Sequence, residues 1–416
     1  MHILLLSIAY PPEIRSASTL TRDFAVQLRR LGHEVTVVTG YPRYNLSEDE
    51  RDRMYPTVAV GDDGIRVVRI RTLPVHRVSP AVRGISELSL PFVFAVAAAR
   101  YVHRKVDIVE VYSPPLTLGL AGTIARWFFR ASLIVNIQDL FPQNAVDLGM
   151  LRSGPVLSFL LAVERLVYRF ADVITVHSPG NRRFLVGHRG VPESKVVTIP
   201  NWVDIESFDA VRDGVGADPD PLFREMDVGA RKVFLFAGVM GPAQGLDVVV
   251  EAAEMLADQT DVLFLLLGDG TDRARLEGLV RAAGLNNVRF GEFVPPERYT
   301  GIVTHCYAGL VTLTPFYRTP VVPGKLMGYM AAGIPVVAAL NAESDGHDIV
   351  AKSGGGVAVQ AGDAKGLAAA VRRLAEDPLR QKEMGQAGLR YARSQFATET
   401  CVGMYDALFR ELTQGK

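Results

Sequence analysis

The sequence predicts an α/β fold of two doubly wound, Rossmann-like domains facing each other across a cleft, and three observations predict it. Short β-branched or leucine-rich runs alternate with amphipathic stretches, which reads as βαβ units on a parallel sheet. The pattern occurs twice, on either side of a segment from 204 to 230 that is rich in Asp, Gly and Pro and lacks periodicity, as a linker does. Finally, 416 residues at 48% hydrophobic composition are enough for two full cores, at roughly 100 to 200 residues per domain.

In the first half the expected strands are Ile3 to Leu6, Val35 to Val38, Ile108 to Val111, Leu133 to Ile137, Val173 to Val176 and Val196 to Ile199. Leu20, Phe24, Leu28 and Leu31 mark an amphipathic helix after the first of them. The second half offers Val233 to Phe236, Val262 to Leu267, Ala308 to Val311, Val336 to Ala339 and Val357 to Val359. The expected boundaries are 1–203, a linker at 204–230, 231–395, and a C-terminal helix at 396–416 that crosses back to the first domain. Ligands of such folds bind at the carboxyl ends of the strands, so chemistry is sought in the loops that follow strands.

Composition narrows the classes further. Lys and Arg number 45 and so do Asp and Glu, a net charge of zero that argues against nucleic acid as a partner. The zero is a sum of unlike halves: residues 1–203 carry 24 bases against 17 acids, and residues 204–416 carry 21 against 28. Two cysteines, Cys306 and Cys401, form neither a disulfide framework nor a metal site by themselves. Charge-free apolar candidates, such as Leu88 to Ala99 with its Pro91, are shorter than the roughly 18 residues of a membrane span. Met1-His2 leads directly into a strand with no basic start or cleavage site, so a cytoplasmic location is expected.

Four loops carry information. Tyr10 to Ser18 follows the first strand and contains no glycine, which disfavours the G-x-G-x-x-G of a nicotinamide dehydrogenase. Ser18 or Thr19 is placed to cap the next helix; Arg15 fits an anion site at its N-terminus and equally a solvated loop arginine. Thr319 to Pro335 reads as an extended, proline-held lead-in, a helix starting near Gly324-Lys325 and a stop at Gly333-Ile334-Pro335. Free N–H groups, the helix dipole and the Lys325 charge suit a diphosphate, against the plainer reading of a capped helix with a surface lysine. Ala237 to Gly245 closes a strand with glycines at 238, 241 and 245, compatible with close approach of a ligand or with tight turns alone. Gly268-Asp269-Gly270 is a lone G-x-G, and Asp218-Pro219-Asp220 a D-x-D-like run that reads better as a solvated turn.

Taken in order, Tyr10-Pro11-Pro12-Glu13-Ile14, Leu31-Gly32-His33-Glu34-Val35-Thr36-Val37 with Thr39-Gly40-Tyr41-Pro42, Gln138-Asp139-Leu140-Phe141-Pro142, Pro200-Asn201-Trp202-Val203-Asp204, Gly241 to Leu246, Gly268-Asp269-Gly270 and Pro323 to Pro335 resemble the GT-B-fold, family-4 retaining glycosyltransferases. Within them the likeness is to the bacterial branch that builds surface polysaccharides and includes N-acetylfucosamine transferases. The resemblance implies a second domain that holds a nucleotide-sugar donor, with Met240, Gly241, Gln244, Gly245, Gly268, Val294, Pro323, Gly324, Lys325, Glu343 and Ser344 around it. It implies a first domain that receives the acceptor, with Glu13, Arg15 and Ser16 on that side, and places Asp139 beside the reacting sugar. A helix-capping role is the alternative for Asp139.

Two departures from the family pattern stand out. Its E-x7-E carboxylates fall on Pro320 and Gly328, which removes the usual acceptor of the ribose hydroxyls, and its glycine-rich first loop is replaced by Arg15-Ser16-Ala17. The implied reaction keeps the donor's anomeric configuration by front-face displacement, with Lys325 stabilising the leaving diphosphate and no metal or other cofactor required. A UDP-sugar donor is expected. The expected acceptor is a polyprenyl-diphosphate-linked saccharide at the inner face of the plasma membrane, because Arg71, His76, Arg77, Arg83, Arg100, Arg104 and Lys105 surround the apolar Leu88 to Ala99 stretch. An ordinary crossover helix with a basic end explains the same residues. Other readings are a soluble transferase acting on a small natural product, a nucleotide-sugar epimerase on the same fold, and a non-catalytic relative.

Overall fold

The structure, a computed structural model, describes residues 1–74, 78–214 and 219–414. The chain divides into two compact units, Met1–Asn201 with the closing helix Thr398–Gln414, and Trp202–Ala397.

In the first unit β1 (His2–Leu6), β2 (Glu34–Gly40), β3 (Val58–Val60), β4 (Arg66–Ile70), β5 (Ile108–Ser113), β6 (Ser132–Ile137), β7 (Val173–Val176) and β8 (Val196–Thr198) form one sheet in the order β3-β4-β2-β1-β5-β6-β7-β8. Every pairing is parallel except β3 with β4, and Ile3 of β1 pairs with Val35 on one side and Ile108 on the other. Strands β1, β5 and β6 are buried at every residue, which is why they read as near-continuous apolar runs. The helices Pro80–Tyr101, Leu118–Phe129 and Pro155–Phe170 connect β4 to β5, β5 to β6 and β6 to β7. Right-handed crossovers put all three on one face of the sheet, and Ser16–Arg30, linking β1 to β2, on the other. Thr398–Gln414 packs beside Ser16–Arg30: Tyr405 meets Phe24 edge-on at 4.8 Å, and His33 Nε2 lies 2.8 Å from Asp406.

The second unit holds β9 (Lys232–Ala237), β10 (Val262–Leu267), β11 (Val288–Gly291), β12 (Ala308–Thr312), β13 (Val336–Leu340) and β14 (Gly356–Gln360), all parallel, in the order β11-β10-β9-β12-β13-β14. Its core gathers Phe234, Phe236, Phe264, Leu266, Leu310 and Val337. Each sheet reverses its winding at one place, β1/β5 in the first unit and β9/β12 in the second. These switch points are where doubly wound sheets open a crevice for ligand.

Three expectations need correction. The segment 204–230 folds with the second unit: it contains the helices Ile205–Arg212 and Pro221–Glu225 and buries Ile205, Phe208, Leu222 and Phe223. The helix Ser16–Arg30 begins at Arg15 with no side-chain cap, because the hydroxyl expected from Ser18 is already inside the helix. And Val82–Tyr101 is long and apolar enough by length and composition to cross a membrane, although Arg83, Glu87 and Arg100 break the run in the sequence. In this fold Leu90, Phe94, Ala97 and Ala98 of that helix lie in the core of the first unit. His76 and Arg77 of the basic stretch, and Asp218 of the D-x-D-like run, lie outside the described residues. Asp220 of that run caps Pro221–Glu225, accepting from the Leu222 N–H at 2.9 Å, and pairs with Arg298.

Candidate active site

At the β9/β12 switch point of the second unit, Gly324 precedes the helix Lys325–Ala332, which ends at Gly333 in the left-handed conformation. The lead-in is held from below. Asn341 Nδ2 donates to the Thr319 carbonyl at 3.1 Å, and Ser344 Oγ donates to the Val321 carbonyl at 2.5 Å while accepting from the Gly346 N–H. Lys325 Nζ donates to Gln244 Oε1 at 2.9 Å and lies 4.7 Å from the centre of the Phe236 ring. The lysine is half-buried, and the protein around its ammonium lowers its pKa from the usual lysine range to about 8.

Gly238 is what lets this lysine in. Its φ is +149°, and a Cβ there would sit 2.7 Å from Lys325 Cε. Gly268 answers a different demand: its Cβ would come within 2.0 Å of the Gly238 carbonyl oxygen, so the loops after β9 and β10 meet backbone to backbone. The G-x-G is therefore a packing device that positions the Gly238 loop.

The other residues expected around the donor divide. Gly241, Gln244 and Gly245 lie in the loop after β9, turned by a Gln244 N–H to Gly241 carbonyl bond of 2.9 Å. Pro323 and Gly324 lead into the Lys325 helix, and Val294 is half-buried between β11 and the helix Pro296–Thr304. Met240 is fully buried in the core, so only its backbone faces the loop. The Ser344 hydroxyl is committed to the lead-in, and Glu343 accepts from Asn341 Nδ2 at 3.2 Å. Gly328 is buried in its helix, where a Cβ would lie 3.4 Å from Tyr299 Oη; a tyrosine fills the side on which the family pattern has a carboxylate.

In the first unit, Arg15 pairs with Glu13 at 2.6 Å and stacks over Tyr44 at 5.6 Å. The other Glu13 oxygen accepts the backbone N–H groups of Arg43 and Tyr44 at 2.9 and 3.1 Å, so Glu13 pins the loop after β2 as well as orienting Arg15. Ser16 is exposed at the first turn of its helix. Asp139, just past β6, is exposed and caps no helix, since Pro142 stands at the start of Gln143–Asp147. Its carboxyl is nonetheless raised above the ordinary range by the protein mass around it. Beside it, Gln138 and Asn201 exchange amide hydrogen bonds of 2.8 and 2.6 Å.

A cavity of about 170 Å³ opens at the β1/β5 switch point, with Arg15, Arg83, Glu87, Pro115, Leu116 and Phe141 in its wall. The loop rule points to the ends of β5 and β6; the participation of Arg83, 68 positions after Arg15, needs the sheet order to be seen. Among the described residues no group of three or more His, Cys, Asp and Glu could hold a metal ion, and both cysteines are buried thiols outside any disulfide.

Two Rossmann-like units, each with its loops converging at a switch point, define the GT-B class of α/β proteins. Residues 17–202 match the model of the glycosyl transferase 4-like domain, and residues 231–377 that of the glycosyl transferases group 1. WcaI of Escherichia coli (strain K12), a candidate glycosyl transferase of colanic acid biosynthesis, is 27% identical over 346 residues, covering 80% of this chain and 82% of that one. D-inositol 3-phosphate glycosyltransferase of Kineococcus radiotolerans is 28% identical over 406 residues, covering 89% and 85%. Among solved structures, Anabaena Alr3699/HepE in complex with UDP-glucose superposes with a TM-score of 0.71 at 18% identity, covering 99% of this chain and all of that one. The chain belongs to the GT-B glycosyltransferases.

Proposed function

We propose that this glycosyltransferase moves a hexosyl or N-acetylhexosaminyl group from a UDP-sugar to a polyprenyl-diphosphate-linked saccharide during surface polysaccharide synthesis, retaining the anomeric configuration. The observation that carries the donor half is the Lys325–Gln244 pair at the N-terminus of a helix on the β9/β12 switch point. There a diphosphate would meet the positive end of a helix dipole and a lysine whose charge is otherwise poorly solvated. The UDP-glucose complex of Alr3699/HepE, on the same fold, supports a uridine nucleotide. Colanic acid in the description of WcaI supports the polysaccharide reading.

In this reading the acceptor hydroxyl attacks the anomeric carbon from the face the diphosphate leaves. The departing phosphate oxygen takes the hydroxyl proton, and Lys325 gains interaction as negative charge builds on that oxygen, which raises rate rather than mere affinity. Asp139 would orient the sugar or acceptor. Arg15, with Glu13 holding it and Ser16 at the helix start, would face the acceptor's phosphates. The donor loops require no cofactor. The proposed location is the cytoplasmic side of the plasma membrane.

A thermal-shift screen against uridine, guanosine, adenosine and thymidine diphosphate sugars tests the donor half, since a ligand that binds only the folded state raises apparent stability. A uridine sugar is expected to give the largest shift, and its loss in Lys325→Ala ties the shift to this site. No response to any nucleotide sugar would overturn the reading. The relation to D-inositol 3-phosphate glycosyltransferase favours a second reading, a small water-soluble acceptor. Acceptor assays with and without a lipid-linked saccharide separate the two.

A further inference from the structure

The three helices on one face of the first sheet bury their inner sides in the core and leave an unusual outer side. On Pro80–Tyr101, Ile85, Phe92 and Val96 repeat at helical spacing and are 63%, 69% and 65% exposed. Trp127 and Phe128 of Leu118–Phe129 are 60% and 62% exposed, and Phe159 of Pro155–Phe170 is 48% exposed. These helices are sequential neighbours in one layer; Trp127 touches Phe170 of the next helix at 5.3 Å between ring centres. Single exposed apolar residues are ordinary, whereas large aromatics and aliphatics shared by three adjacent helices form a patch that calls for an occupant.

Charge says which occupant. The three helices carry Arg83, Arg100, Arg126, Arg165 and Arg169 against Glu87 and Glu164. Glu87 is held by Arg83 at 2.8 Å, and Glu164 is buried against Arg189 at 2.8 Å, so neither acid leaves the face negative. Arg100, Arg165 and Arg169 are exposed. All three helices run antiparallel to the strands, which gathers Arg100 and Arg169 at one shared end of the layer, beside Arg126, whose charge is met by Asp172 at 2.7 Å. Apolar side chains framed by arginine match the interfacial zone of an anionic bilayer, where acyl chains lie just beneath phosphate headgroups.

We propose that this helix layer is a membrane-docking surface of the first unit, seated in the interface of an anionic bilayer with Phe92, Trp127 and Phe128 below headgroup level. The inference deepens the proposed lipid-linked acceptor: Arg83 and Glu87 belong both to the docking helix and to the wall of the cavity that holds Arg15. Docking would therefore bring the cavity mouth to the plane in which a lipid's diphosphate lies.

The two tryptophans make a direct test possible, because Trp127 is exposed on this face and Trp202 is 5% exposed in the other unit. Full-length protein is mixed with vesicles of phosphatidylcholine alone or with phosphatidylglycerol added, and is followed by sedimentation and tryptophan emission. The expected result is co-sedimentation and a blue shift with the anionic vesicles, weakened by salt, with about a tenfold loss of binding in the double variant Phe92→Glu, Trp127→Glu. Circular dichroism and the UDP thermal shift, both expected unchanged in that variant, keep loss of docking separate from misfolding and from failure of the donor reading. Wild-type protein that stays in the supernatant with both vesicle types overturns the proposal. So does a variant that binds vesicles as wild type does, or a wild-type dimer that the variant converts to monomer, which would make the face a contact between copies.

Discussion

Lys325 and Gln244, 81 residues apart, meet through an Nζ to Oε1 hydrogen bond of 2.9 Å. One stands at the start of the helix after β12 and the other in the loop after β9, so the contact joins the two loops that flank the switch point. A neutral amide is a modest partner for a poorly solvated ammonium, and an arriving diphosphate is a better one. Lys325→Ala is expected to lower turnover by about 10²-fold, the size of effect seen when one preorganised electrostatic group is removed. Steady-state kinetics on the identified donor measures it, and near wild-type turnover refutes the role.

The same lysine sets a pH dependence. With its pKa lowered to about 8 by burial, Lys325 loses its proton as pH rises through that value, and UDP affinity should fall with it. Lys325→Met should bind weakly and show no such fall. Between that value and the ordinary 10.5 of a lysine the unfolded chain holds more protons than the folded one, so this group's contribution to stability rises with pH across the window. Calorimetric titration of UDP at several pH values is the check, and equal alkaline limbs in the two proteins would rule the assignment out.

Gly238→Ala should act through Lys325. The added methyl meets the lysine 2.7 Å from Cε at a backbone angle that L-residues rarely adopt, so the side chain is pushed from its place and stability falls by about 1 kcal/mol or more. A double-mutant cycle with Lys325→Ala is diagnostic: the loss in UDP binding should be non-additive, whereas independent losses would show the glycine to be merely structural.

Asp139→Asn keeps the shape of an exposed side chain and removes its charge. Turnover is expected to drop about 10²-fold with melting temperature and UDP thermal shift unchanged. A wild-type rate would return Asp139 to an ordinary surface residue.

Glu110 lies at the centre of the first sheet, on β5, with its carboxyl pushed up to about 8 by burial from an ordinary 4.5. Between those values the folded chain keeps a proton the unfolded chain has released, so stability falls as pH rises across that window. Glu110→Gln should remove the slope: equal melting temperatures near pH 4, and a more stable variant near pH 8. Parallel melting curves for the two proteins at both pH values would contradict it.

Much of the fold was legible because parallel strands are buried on both faces and print themselves as apolar runs, as Val262–Leu267 does. Strand β4 was not, because Arg66 and Arg69 interrupt its valines, and β11 was lost to its shortness and Arg289. Residues 204–230 misled for the opposite reason: Asp, Gly and Pro drown out Ile205, Phe208, Leu222 and Phe223, whose burial fixes two short helices. At the site, the Lys325 helix and the Gly238 loop announced themselves separately through glycine, proline and charge. Their meeting did not, since it depends on β9 and β12 being neighbours. Met240 shows the converse limit: its place in the motif was readable, the inward turn of its side chain was not.

The helix Thr398–Gln414, packed on Ser16–Arg30 through Tyr405 and Asp406, makes the second unit an insertion within the first. During synthesis, residues 202–397 emerge as an uninterrupted stretch and can fold while the ribosome is still at work. The first unit, begun earlier, stays short of its closing helix until the whole second unit has been made. Until then Phe24 and the buried side of Ser16–Arg30 lack their cover, so the part made first is the part completed last.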